Sequence, residues 1–213
     1  MPVDFQLEWK RDIHQRPPDF MAATDYGIIV AERHSRLVHV NKKHGYAIWH
    51  AQVNNQWGWL AVTDTCVAYL NPGLFLLCFN LETGETLWQR ALSRHAYGHL
   101  AAKDRYLIVG GWREYTRVTC LEITSCKRLW VKPMKHNYAP PIMSPWGIIL
   151  AVHATDHQLR SLQLLDYEQG KIEFELDIPA KVQVTDRHLG IQLAGNTDLI
   201  IRQGIQTQLG TIQ

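Results

Sequence analysis

The chain has 213 residues, 46% of them hydrophobic and 20% charged, enough for one compact domain with a core and too few for two large ones. Its 22 basic residues are offset by 20 acidic ones, leaving a net charge of +2 and no electrostatic case for nucleic acid as a partner. With 14 glycines and 9 prolines, neither a collagen-like nor a disordered chain fits.

In chain order, a first strand is expected over residues 5–13, centred on Trp9. Asp4, Glu8, Lys10 and Arg11 punctuate residues 1–11, so no secretory signal is read there and a cytoplasmic location is the expectation. From residue 19 onward the chain repeats. Trp9, Trp49, Trp88 and Trp130 are 40, 39 and 42 residues apart. Four positions before the tryptophans stand Gly45, Gly84 and Cys126, and Gly170 points to Phe174 as the next equivalent. Eight before stand Asn41, Asn80, Glu122 and Asp166. Asp25, Asp64 and Asp104 recur with the same period, and Ser144 and Asp186 are read as the next two places. Two marker sets sharing one period of about 41 define units at 19–55, 56–94, 95–134, 135–179 and 180–213.

Inside the second unit, short apolar or alternating runs at 60–63, 66–70, 74–79 and 85–91 are separated by turn residues. The spacing predicts four strands and no helix. The pairs Thr83-Gly84 and His44-Gly45 fit tight turns in which glycine takes positive φ. Four short strands per unit of this length predict an all-β fold, a β-propeller of about five four-stranded blades, either a small ring or a partial propeller. The last unit is short and carries Gln208 in place of the tryptophan. The strand around Trp9 is therefore expected to pair beside it and join the two ends, whereas an open arc would self-associate through its uncovered faces.

The stretch from Cys78 to Trp88, with Asn80, Thr83, Gly84 and Trp88 at set places, resembles the tryptophan-docking repeat of the pyrroloquinoline-quinone-like (quinoprotein-like) propellers. Asn41, Gly45 and Trp49 match the same pattern, as do Lys127 with Trp130, and Asp166, Gly170 and Lys171. The resemblance implies the architecture and leaves the chemistry open. The physical role of the marked residues is structural. Each tryptophan offers a flat face to the neighbouring blade and needs a partner only for its indole N–H.

Four cysteines, at 66, 78, 120 and 126, form neither a Cys-x-x-Cys nor an adjacent pair, so a zinc site and a redox dithiol are not expected. Cys66, Cys78 and Cys120 read as small buried hydrophobes. The pairs His95/His99 and His153/His157 are four apart, but on strands that spacing separates them by about 13 Å, too far for one ion. The resemblance would suggest a quinone cofactor, yet the adjacent Cys-Cys shared by quinoprotein dehydrogenases is missing, and no cofactor is expected. The longest apolar runs, 27–31 and 147–152, are far shorter than a membrane span.

One constellation reads as more than architecture. Trp57, Tyr97 and Tyr138 stand at matching places before the recurrent markers, and two residues ahead of them stand Asn55, His95 and His136. These fall in the connections from one blade's outer strand to the next blade's inner strand, so an aromatic and a polar donor are expected at equivalent places on one face. The plainer reading makes each aromatic another wedge between blades. The function expected is a non-enzymatic scaffold for protein–protein interaction or assembly, with a protein or peptide partner. The alternative is a cofactor- or small-ligand-binding propeller with redox activity.

Overall fold

The computed structural model describes residues 10, 21–32, 36–53, 58–71, 75–91, 99–110, 117–134, 139–153, 159–178, 189–194, 198–203 and 206–211. These residues form five antiparallel sheets and no helix. The first holds β1 (Met21–Ala23), β2 (Gly27–Glu32), β3 (Arg36–Asn41) and β4 (Ala47–Gln52). The second holds β5 (Trp59–Val62), β6 (Cys66–Asn71), β7 (Phe75–Asn80) and β8 (Thr86–Ala91). β9 (Leu100–Lys103), β10 (Tyr106–Val109), β11 (Arg117–Glu122) and β12 (Arg128–Pro133) make the third. β13 (Ile142–Met143), β14 (Ile148–His153), β15 (Leu159–Leu165) and β16 (Ile172–Asp177) make the fourth. The fifth shows three described strands, β17 (Leu189–Ala194), β18 (Asp198–Gln203) and β19 (Gln206–Thr211).

Each sheet is a meander in which every strand pairs with the one before it. Inner strands of successive blades touch, β1 on β5, β5 on β9 and β9 on β13, and β17 takes the contact with β13. Among the described residues the blades form an open arrangement rather than a closed barrel. Trp9 and the expected strand at 5–13 lie outside the described residues.

The core lies between blades rather than within them, as stacked sheets require. Ile29, Leu37 and Trp49 of the first blade pack on Val67, Tyr69 and Phe79 of the second. Cys66, Leu70 and Cys78 meet Leu107, Leu121 and Ile123 of the third. Ile108, Val118, Cys120 and Trp130 meet Ile148, Leu150 and Leu165 of the fourth. Alternation explains this division: on a central strand, neighbouring side chains enter the cores on opposite sides of the sheet. All four cysteines are free thiols, and Cys66, Cys78 and Cys120 are fully buried.

The turn between third and fourth strands repeats residue by residue. Gly45, Gly84, Cys126 and Gly170 all have positive φ, at 69°, 73°, 58° and 67°. The Asn80 carboxamide oxygen accepts from the N–H groups of Glu82 and Thr83, and Asn41 accepts likewise from Lys43 and His44. Asp166 accepts from Gln169 and Lys171. Glu122 is one carbon longer and instead meets the Ser125 hydroxyl. Opposite the turn, a bulge recurs in the first four blades, between His39 and Val40, Cys78 and Phe79, Cys120 and Leu121, and Leu164 and Leu165. It inserts one extra residue in the outer strand and re-aims the tryptophan beside it.

The other marker set needs a correction by one residue. Thr24, Thr63 and Ser144 each donate their N–H to the carbonyl three residues on, and each hydroxyl accepts a backbone N–H of the same turn. Ser144 is thus the counterpart of Thr24 and Thr63. Pro145, rather than Ser144, stands where Asp25, Asp64 and Asp104 stand.

Candidate functional site

The six residues expected to form a recognition face, Asn55, Trp57, His95, Tyr97, His136 and Tyr138, lie outside the described residues. Their flanks are described, and they leave from one end of the blades. Trp59 pairs with Leu70 in register, and Asn71 with Phe75, so the connection into β5 and the end of β6 share that end. Three buried polar residues close the second strands there: Glu32, Asn71 and His153. Glu32 binds Arg36 at 3.1 Å. Asn71 is fully buried, and among the described residues neither its carboxamide oxygen nor its nitrogen has a partner. The rings of Trp59 and His99 meet edge to face across the second and third blades at 5.8 Å.

The opposite end carries the turns and a cleft of about 550 Å³ between the first and second blades. Tyr26, His39, Tyr46 and Ile48 form one wall, and Asp64, Leu81 and Glu82 the other. Beneath it the docking contact holds the blades together. The Trp49 indole donates to the Leu81 carbonyl at 2.8 Å, and its ring lies so close to Gly84 that an added Cβ would stand 2.6 Å from it. Trp88 donates to the Ile123 carbonyl at 2.7 Å, and Trp130 to that of Tyr167 at 2.9 Å.

Between the third and fourth blades an ion pair spans the same place. Arg105 Nη2 donates to both carboxylate oxygens of Glu168, at 3.0 and 2.9 Å. The Tyr106 hydroxyl also donates to Glu168, and its ring stacks on Tyr167 at 4.8 Å. The hydrogen bond from Tyr106, followed by that from Arg105, holds the Glu168 carboxyl below its ordinary range. Burial pushes the Tyr167 phenol up to about 12, and its hydroxyl donates to the Ser144 carbonyl. Burial likewise pushes the Cys120 thiol up to about 12 and raises Cys78. Such thiols stay protonated at neutral pH and are poor nucleophiles.

A family model described as outer membrane protein assembly factor BamB matches residues 75–185, more than half of the chain. The chain belongs to this BamB-like family of propeller repeats. No curated protein sequence matches it. Among solved structures, BamB from Moraxella catarrhalis is similar at 14% identity over 90% of this chain and 62% of that one, with a TM-score of 0.56. The computationally designed Ika8 protein is similar at 12% identity over 90% of this chain and 57% of that one, with a TM-score of 0.65. A chain of the Mitotic Checkpoint Complex is similar at 11% identity over 91% of this chain and 62% of that one, with a TM-score of 0.69. These likenesses concern the fold alone, and the chain spans about three fifths of the length of each structure.

Outside the repeat contacts, one outer strand stands apart. Trp49 and Trp130 are 7% and 9% exposed, whereas Phe174 at the same place is 51% exposed. Leu176, on the same face of β16, is exposed too, while Ile172 stands beyond the bulge, opposite Leu165 and on the other face. In the fifth sheet β18 and β19 pair from Gln203–Gln206 to Asp198–Thr211 with no register shift, so the bulge of the other blades does not recur between them. Sequence spacing identified Phe174 as the equivalent but not its exposure, which depends on the blade that follows.

Proposed function

We propose that this propeller is a non-enzymatic scaffold that binds a protein partner through the exposed face of β16. The single observation that carries the reading is the pair Phe174 and Leu176, exposed together on one face of β16 where earlier blades bury their docking residue. A contiguous apolar patch on a folded surface marks a contact site, and aromatic residues supply most of the energy of such contacts. Glu175 and Asp177 alternate with the pair, so the partner suited to this strand presents apolar side chains flanked by basic ones. Membership of a family described as an assembly factor supports the same reading. Asn55, Trp57, His95, Tyr97, His136 and Tyr138, in the connections between blades, are proposed as a second contact face. The test is a variant with Phe174 and Leu176 both changed to serine, compared with the parent in affinity capture from native extract. The variant should fold and lose a discrete protein that the parent retains. An unchanged set of captured proteins would contradict the reading.

A further inference from the structure

The cleft between the first and second blades differs from its counterpart between the third and fourth by one missing side chain. The shared backbone pattern sets the correspondence. Leu81 donates its N–H to the Thr65 carbonyl, and Ile123 does the same to Arg105, while Lys42 donates to the Tyr26 carbonyl. Tyr26 therefore occupies the place of Arg105 in its blade. Asn80 and Asp166 begin equivalent turns, so Glu82 occupies the place of Glu168. Where Arg105 reaches across to Glu168, an ion pair bridges the gap. Where Tyr26 faces Glu82, the gap is an open cleft.

The walls carry what a guanidinium requires. Among the described residues neither Asp64 nor Glu82 is in an ion pair, and both line the cleft. Tyr26 and Tyr46 are 68% and 56% exposed, so aromatic faces are available for a flat cation to stack on. The molecule shows the same combination internally, with Arg105 lying 5.1 Å from the Tyr106 ring centroid while it binds Glu168.

A second observation is independent of the acidic pair. His39 faces Trp49 in the ladder, where the other blades place Cys78, Cys120 and Leu164. The repeat thus has a small or apolar residue there, and this blade has an imidazole that is 1% exposed and borders the cleft. Its Nε2 lies 3.0 Å from the Thr24 hydroxyl. That oxygen already accepts from the N–H groups of Tyr26 and Gly27, so its proton goes to Nε2. The ring proton then belongs to Nδ1, for which no hydrogen bond of ordinary geometry is found among the described residues. The Leu81 carbonyl, which accepts from Trp49, is the backbone acceptor that acts on the ring. A buried donor without a well-placed acceptor, beside a cleft, suits an incoming carbonyl.

We propose that this cleft binds an arginine residue of a peptide segment, with the guanidinium between Tyr26 and Glu82 and a peptide carbonyl at His39. The site is separate from β16 and from the second contact face, and it stands whether or not those bind a partner.

The test titrates the full chain with N-acetyl-Gly-Arg-Gly-amide while the indole N–H signal of Trp49 is followed by NMR. The citrulline peptide, which has the same shape without the charge, is the control. The arginine peptide should shift the Trp49 signal saturably and bind about tenfold more tightly than the citrulline peptide, the difference between charged and neutral hydrogen bonds. Glu82→Gln should reduce the arginine peptide to the citrulline level. Tyr26→Arg restores the pair seen at Arg105 and Glu168, and it should abolish binding while raising the melting temperature. Equal affinity for the two peptides, an unchanged affinity in Glu82→Gln, or no saturable shift in the folded parent would overturn the proposal.

Discussion

The indole of Trp49 donates to the carbonyl of Leu81 at 2.8 Å and rests flat against the backbone of Gly84. One side chain therefore fixes a turn of the next blade by a hydrogen bond and by packing. Replacing Trp49 or Trp130 with alanine should cost about 3–5 kcal/mol, as for other buried aromatics. Tryptophan to phenylalanine should cost far less, since it leaves only the carbonyl unpaired. Trp88 is less buried than the other two, so its alanine variant should be the mildest. Urea unfolding of the three variants gives that order.

The turn residue beneath each indole supplies the next prediction. Gly84 and Gly170 have positive φ, and a Cβ on either would strike the ring above. Either Gly→Ala change should cost at least the ~1–3 kcal/mol of a forced left-handed residue. Cys126 already holds such a conformation, at φ 58°. Cys126→Gly should therefore stabilise the protein by roughly 1 kcal/mol, a rise of about 2–4 °C in melting temperature.

Buried acids set the alkaline limit. The Cys120 thiol moves from 9.0 to about 12, and Tyr167 from 10.0 to about 12, both through burial. A group whose pKa is raised by folding contributes stability below its unfolded value and loses it as pH rises toward the folded one. Stability should fall between about pH 9 and 12, and Cys120→Ala should make that fall shallower. Native protein should expose only Cys126 to a thiol reagent, because the other three thiols are buried.

The repeat was legible because it rests on residue types that few positions can exchange: an indole, a residue tolerating positive φ, and an Asx side chain accepting from two turn amides. The strands of the second unit were equally readable, since Thr63-Asp64, Asn71-Pro72-Gly73 and Thr83-Gly84 punctuate short apolar runs. The bulge was hidden. It adds a single residue without a composition of its own, as at Ile48 and Leu87. Ser144 was misplaced by one because spacing was followed, whereas hydrogen bonding aligns it with Thr24 and Thr63. The cleft at His39 and the pair Arg105–Glu168 could not be read at all. They join positions on different blades, and only the stacking brings those positions together.

The second contact face has its own check. With Trp57, Tyr97 and Tyr138 changed together to alanine, a contact face predicts unchanged melting and weakened partner capture. Wedges between blades predict a fall in melting temperature instead.

The most direct test of the scaffold reading places a photo-crosslinking phenylalanine analogue at Phe174, with the same group at the exposed Glu85 as reference. Irradiation of the full chain in its native extract should give one discrete adduct with another protein from position 174 and none from position 85. Identical adducts from both positions, or a labelled chain that crosslinks to nothing at 174, would contradict it.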